Sequence, residues 1–180
     1  TRVTFAQARD DVRALASEML TMGCADKHCV LIGKMSYEWA ITYFATLSIG
    51  AVLVPLDRDW LAEDLADTVR TADADFLLCD EDIAEKAEYI AQHVTLSAAP
   101  IYLGARKQAR TLASLVEAGR VRFAAHPEAY FETPVNPMKL SLLVFTSGTT
   151  GKGKGVMLNQ NAILSDMYDV IPYIDFCSKT

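Results

Sequence analysis

Residues 146–155 read Thr-Ser-Gly-Thr-Thr-Gly-Lys-Gly-Lys-Gly, a run built only from hydroxyls, glycines and lysines. Each type has a task around a polyphosphate. Gly148 and Gly151, with the glycines after them, let the backbone turn and approach closely, so that amide N–H groups can point at oxygens. Thr146, Ser147, Thr149 and Thr150 offer hydroxyl donors, and a lysine offers countercharge. Exposed turns also collect glycine and threonine. Here, however, the run follows directly on Leu-Ser-Leu-Leu-Val-Phe at residues 140–145, an apolar strand pattern. A strand entering such a loop carries it to the carboxyl end of a parallel sheet, where α/β proteins bind ligands.

A Walker A loop is the sharpest rival, since Gly148 to Lys154 satisfies G-x-x-x-x-G-K. That motif needs Ser or Thr next, to hold magnesium, and this chain has Gly155. It also opens directly into a helix, whereas Gly155-Val156-Met157-Leu158 reads as a short strand and the next helix as starting after Asn159.

Phe145-Thr146-Ser147-Gly148-Thr149-Thr150-Gly151, followed by Lys154-Gly155-Val156-Met157-Leu158 and Asn161, resembles the signature loop of the adenylate-forming superfamily of acyl-CoA synthetases, luciferases and peptide-synthetase adenylation domains. The resemblance spans nearly the whole chain: Thr4-Phe5 opening a helix, Trp39-Ala40, and Gly50-Ala51-Val52-Leu53-Val54-Pro55-Leu56 look like its amino-terminal region. The Asn136-Pro137 approach and the Met157-Leu158…Asn161 tail are most similar to bacterial long-chain fatty acid–CoA ligases. One position departs from the family, which usually has Pro before the motif lysine where this chain has Gly153. An unrestrained φ there costs the loop about 1 kcal/mol more entropy on closing. Lys152 occupies a variable position, so Lys154 takes the motif role.

The resemblance implies a two-step ligation. A carboxylate attacks the α-phosphate of Mg-ATP to give an acyl-adenylate and pyrophosphate, and a thiol, usually coenzyme A, then displaces AMP. The carboxylate is already ionised at neutral pH, so the first step needs in-line positioning and stabilisation of the leaving pyrophosphate instead of a general base. By resemblance, Lys154 is the catalytic cation; Thr146, Ser147, Gly148, Thr149, Thr150, Gly151 and Lys154 bind the nucleotide; and Thr146 lies near the Mg²⁺.

The family's Tyr-Gly-x-Thr-Glu segment, its ribose-binding Asp and its carboxyl-terminal domain have no counterpart in the sequence. Thr1 stands first and residues 175–180 carry no terminating motif, so both ends read as cut. The expectation is therefore an amino-terminal piece, residues 1–180, of the AMP-binding domain, inactive alone and taking a fatty acid in its full-length form. A peptide-synthetase adenylation domain or acyl-AMP ligase, with a carrier-protein acceptor, is the second reading. A non-catalytic nucleotide-binding module is the third.

The elements that must position the loop are legible upstream. Thr4-Phe5-Ala6-Gln7 is a capping box opening a helix that ends near Gly23. A strand at 29–32, a helix at 37–49 capped by Ser36, and a strand at 51–54 follow. Then come a helix capped by Asp59 and running through Ala72, a strand at 75–79, a helix at 82–92, a possible strand at 101–103 and a short helix at 111–118 closed by Gly119. Alternation of short apolar strands with amphipathic helices predicts an α/β domain, a layered parallel sheet with flanking helices. Residues 120–139, with Pro127, Pro134 and Pro137, read as a surface excursion.

Net charge is −6 and no basic block occurs, which disfavours nucleic acid and anionic membranes as partners and points to a small ligand. Residues 39–56 carry no charge, about the length of a membrane span, but the β-rich run after Gly50 marks a buried helix followed by a buried strand. Cys24, Cys29, Cys79 and Cys177 lack zinc-site spacing and read as reduced thiols of a cytoplasmic protein. His28, His93 and His126 are scattered and read as structural or surface groups. Trp39 and Tyr43 read as core, and Glu81, Asp82, Glu85 and Glu88 as a solvated helix face.

Overall fold

A computed structural model of the chain describes residues 2–146 and 154–173. Helix α1 (Phe5–Thr21) starts from the Thr4–Gln7 capping box, with the Thr4 side chain accepting from Gln7 N and the Gln7 side chain accepting from Thr4 N. It ends where Gly23 takes φ +80°, and the Gly23 and Cys24 amides donate to the carbonyls of Leu20 and Met19. Strand β1 (His28–Ile32), helix α2 (Tyr37–Ser48, capped by Ser36), strand β2 (Val52–Leu56), helix α3 (Ala62–Thr71) and strand β3 (Phe76–Cys79) follow. Next come helix α4 (Ala84–His93), strand β4 (Ile101–Tyr102), helices α5 (Leu112–Ala125) and α6 (Pro127–Phe131), strands β5 (Leu140–Thr146) and β6 (Lys154–Asn159), and helix α7 (Gln160–Val170).

Among the described residues the strands form one sheet in the order β4-β3-β1-β2-β5-β6, flanked by helices on both faces. All neighbours pair in parallel except β5 and β6, which form an antiparallel hairpin. Successive side chains of each strand point to opposite faces. Leu31, Leu53, Leu78 and Leu142 pack on one face under α1, α2 and α5. Val30, Val54, Leu77 and Leu143 pack on the other under α3 and α4. Burial on both faces explains why β1 and β3 read as unbroken apolar runs.

The structure moves several boundaries. Asp59 does not cap α3: the helix starts later, with Leu61 at the cap position and no side-chain cap bond, while the Asp59 N–H donates to the Asp57 carboxylate. The acidic helix begins as a 3-10 turn at Glu81–Ile83 and becomes α4 only at Ala84. Gly119 does not close a helix. It lies inside α5 with no positive φ, where a Cβ would come 1.9 Å from the Ala14 carbonyl oxygen. Glycine there allows α1 and α5 to cross in near contact. Residues 120–139 are accordingly more ordered than a surface excursion: α5 continues to Ala125, and Pro127 at the first turn of α6 suits a position whose N–H has no intrahelical partner.

The uncharged stretch at 39–56 resolves into α2 and β2, and no helix among the described residues is long and apolar enough to cross a membrane. Trp39 and Tyr43 stack with ring centroids 5.5 Å apart and pack, half-buried, on the core. His28 holds the Ala72 carbonyl through Nδ1, His93 stacks on Tyr89, and His126 meets Glu128, all structural roles. Cys24, Cys29 and Cys79 are free and buried, while Cys177 lies outside the described residues.

Candidate functional site

The hairpin that carries the glycine-rich run sits at the carboxyl end of the parallel strands. β5 pairs with β2 at Leu53–Leu142, and both point the same way. In the hairpin, Val144 pairs with Val156, Phe145 with Gly155 and Thr146 with Lys154. The Thr146 hydroxyl donates to the Lys154 carbonyl at 3.5 Å, at the long limit of a hydrogen bond. Both residues are exposed. Directly paired antiparallel residues project to the same face. The hydroxyl of Thr146 and the ammonium of Lys154 therefore stand on one side of the hairpin, at the two ends of residues 147–153. Ser147, Gly148, Thr149, Thr150 and Gly151, the other expected nucleotide-binding residues, lie outside the described residues.

Gly155 has a packing reason of its own. A Cβ there would come 2.9 Å from Leu143 Cδ1 and 3.5 Å from Phe145 Cε1, so its absence lets those side chains lie across β6. Position 155 is in a strand, and the next helix starts at Gln160, with the Asn159 side chain accepting from Ala162 N at 2.8 Å. A Walker A loop, which needs a helix at that point, is excluded.

The flanks of the run are tied to the rest of the sheet. The Pro137 carbonyl accepts from the Asn161 N–H at 3.2 Å, so the Asn136-Pro137 approach and the Asn161 tail meet in space. Gln160 Nε2 donates to the Leu47 carbonyl at 2.8 Å, fixing the start of α7 to the end of α2.

At the ends of β1, β2 and β3 lies an ionic cluster that the sequence pattern does not reveal. Asp80, at the end of β3, is 9% exposed and is the one charged side chain among the buried residues described. It accepts from Arg58 Nη1 and from Lys34 N, both at 2.7 Å. Arg58 Nη2 and Lys34 Nζ reach Asp82 at 2.8 and 3.0 Å. These two cations, Arg58 foremost, hold the Asp82 carboxyl below its usual range. The acidic stretch is thus not only a solvated face: Asp82 joins this cluster, Glu88 pairs with Arg106 at 2.7 Å, and Glu81 fills the space where a Cβ on Gly104 would lie. The residues come from three separate loops, with no spacing that would announce them.

No group of three or more His, Cys, Asp or Glu side chains able to hold a metal occurs among the described residues. One exposed threonine hydroxyl fits a magnesium ion held mainly by phosphate oxygens and water, and does not fit a protein cage.

A family model described as AMP-binding enzyme matches residues 1–178. The chain belongs to the AMP-binding enzyme family. The long-chain-fatty-acid–CoA ligase FadD15 of Mycobacterium tuberculosis is 31% identical to it over an alignment that covers 93% of this chain and 28% of that protein. The phosphinothricin tripeptide synthetase PhsC of Streptomyces viridochromogenes is 29% identical, over 90% of this chain and 13% of that protein. Among solved structures, ATP-bound MatB from Rhodopseudomonas palustris superimposes with a TM-score of 0.75 at 22% identity, covering 96% of this chain and 33% of that one. The luciferase-like enzyme of the mealworm Zophobas morio gives a TM-score of 0.78 at 16% identity, covering 93% and 39%. The fold is that of the amino-terminal domain of adenylate-forming enzymes, and the chain spans less than two fifths of these relatives.

Proposed function

We propose that this chain is the amino-terminal part of the AMP-binding domain of an acyl-CoA synthetase of the cytoplasm. The full-length enzyme would activate a fatty acid with ATP and pass the acyl group to coenzyme A. The observation that carries the reading is the Thr146–Lys154 pairing, which sets a hydroxyl and a cation on either side of a glycine-rich run at the carboxyl end of β5.

In this reading a carboxylate oxygen bonds to the α-phosphorus of ATP and the bond to the β-phosphate breaks, releasing pyrophosphate. The sulfur of coenzyme A then attacks the acyl carbon and AMP leaves. Lys154 and the hydroxyls of Thr146, Ser147, Thr149 and Thr150 hold the phosphate charge as it builds on the leaving group, and the backbone of Gly148 and Gly151 lets amides join them. Thr146 would be the residue of this chain nearest a bound Mg²⁺, whose contribution would be to neutralise phosphate charge.

Hydroxamate trapping with a panel of carboxylic acids tests the substrate class in the full-length polypeptide. Fatty acids should give the strongest trapping, and coenzyme A should be consumed with them. The similarity to PhsC supports a second reading, an amino-acid-activating domain with a carrier-protein acceptor. Trapping confined to amino acids, with no turnover of coenzyme A, would favour it.

A further inference from the structure

We propose that Asp80 and Arg58 are positioning residues that hold the phosphate-loop end of the β5–β6 hairpin in place, an inference that rests on the reading of that hairpin as the nucleotide site. The route runs through β2. β5 and β6 are the last two strands of the sheet, and β5 touches its parallel neighbours only at β2. Leu53 pairs with Leu142, and from there β2 and β5 run in parallel to the same end of the sheet. The turn that follows β2 therefore lies at the end of the sheet that carries the Thr146–Lys154 pair.

That turn is held from the far side of β1. The Asp80 carboxylate spans the ends of three adjacent strands: its own β3, β1 through Lys34 N, and β2 through Arg58 Nη1. Its Oδ1 lies 2.7 Å from where a Cβ on Gly33 would be, so the β1 backbone passes against the carboxylate. Lys86 of α4 adds a second hold by donating to the carbonyls of Arg58 and Trp60, both at 2.8 Å. A buried carboxylate that accepts from a backbone amide and a guanidinium at once is held to a narrow geometry. Asp80 shares its Arg58 with the more exposed Asp82, whose side chain is 44% accessible, so the inner arm fixes the turn and the outer arm contributes less. With the inner arm gone, the end of β2 frays, and the hairpin loses the wall it leans on.

Amide hydrogen exchange on this chain, without nucleotide, reads the effect directly. In Asp80→Asn, exchange should quicken about tenfold both in residues 57–60 and in the hairpin end, residues 144–146 and 154–156. Arg58→Lys, which keeps the charge but cannot fork to two carboxylates, should show the same pattern more weakly and serves if Asp80→Asn does not fold. Asp67→Asn, which breaks the surface pair with Arg70, is the control and should leave the hairpin unchanged. Faster exchange confined to residues 57–60, with the hairpin end as slow as in the native chain, would overturn the proposal. A full-length enzyme lacking pyrophosphate exchange would count against the enzymatic reading and leave this result standing.

Discussion

Thr146 and Lys154 face each other across the last two strands, with the threonine hydroxyl directed at the lysine carbonyl. This pairing makes the glycine-rich run a closed excursion from an antiparallel hairpin, unlike the strand-to-helix turn of a Walker A loop. It also sets the hydroxyl and the ammonium on the same face.

Removing either side chain should therefore affect chemistry and spare the fold. In the full-length enzyme, Lys154→Ala is expected to lower the rate of acyl-adenylate formation by about 10²–10³-fold, the scale for losing one preorganised charge donor. Thr146→Ala should have a smaller effect in the same direction. Both side chains are exposed, so the melting temperature should stay within about a degree of the native value. A large thermal shift would mean that the residues are structural.

Gly119→Val tests the close crossing of α1 and α5. The first added carbon would collide with the Ala14 carbonyl, which is backbone and cannot swing aside. The helices must separate, at a cost of about 1–3 kcal/mol in urea unfolding, the scale of overpacking in a core. Intrinsic helix propensity alone argues the other way, because glycine is the weaker helix former. A stabilised variant would show that the contact is relieved at no cost.

How much of this was readable from residues alone depends on how local the determinant is. The Thr4–Gln7 box and the Ser36 cap act within one turn, and each formed where the spacing put it. The start of α7 after Asn159 was legible for the same reason. Gly119 was misread as a stop because its cause is Ala14, a residue on another helix. Asp59 offered a capping side chain, but the cap position falls two residues further on, at Leu61. Asp82 looked like part of an acidic face, and Asp80 was not singled out, because their partners, Lys34 and Arg58, arrive from other loops. At the candidate site, Thr146 and Lys154 were singled out through the family resemblance, whereas their pairing across two strands needed the hairpin.

Alkaline pH should destabilise the chain in a defined window. Burial, reinforced by Asp80, pushes the Cys79 thiol up to about 12. Burial and the hydrogen bond to Asp11 push Tyr37 to about 12 as well. In the unfolded chain these groups lose their protons near about 8.5 and 10. The folded state keeps them, so their contribution is complete below the unfolded values and is lost as pH climbs toward 12. Urea midpoints measured from pH 7 upward should fall from about pH 8.5, and Cys79→Val should flatten the slope. An unchanged slope in that variant would remove Cys79 from the account.

Acid should act through Asp82 in the opposite sense. Arg58 and then Lys34 depress its carboxyl, so its contribution is present above about pH 4 and lost as pH falls below it. Asp82→Asn should reduce the steepness of that acid limb slightly, since the side chain is partly exposed. A limb unaltered by the substitution would assign the acid sensitivity to other carboxylates.

Carboxylate-dependent exchange of labelled pyrophosphate into ATP by the full-length polypeptide tests the central claim most directly. The account predicts exchange that requires a fatty acid, is slowed by Lys154→Ala by the factor given above and is absent from the 180-residue chain alone. Exchange that needs no carboxylate, or no exchange with any carboxylic acid while ATP still binds, would contradict it.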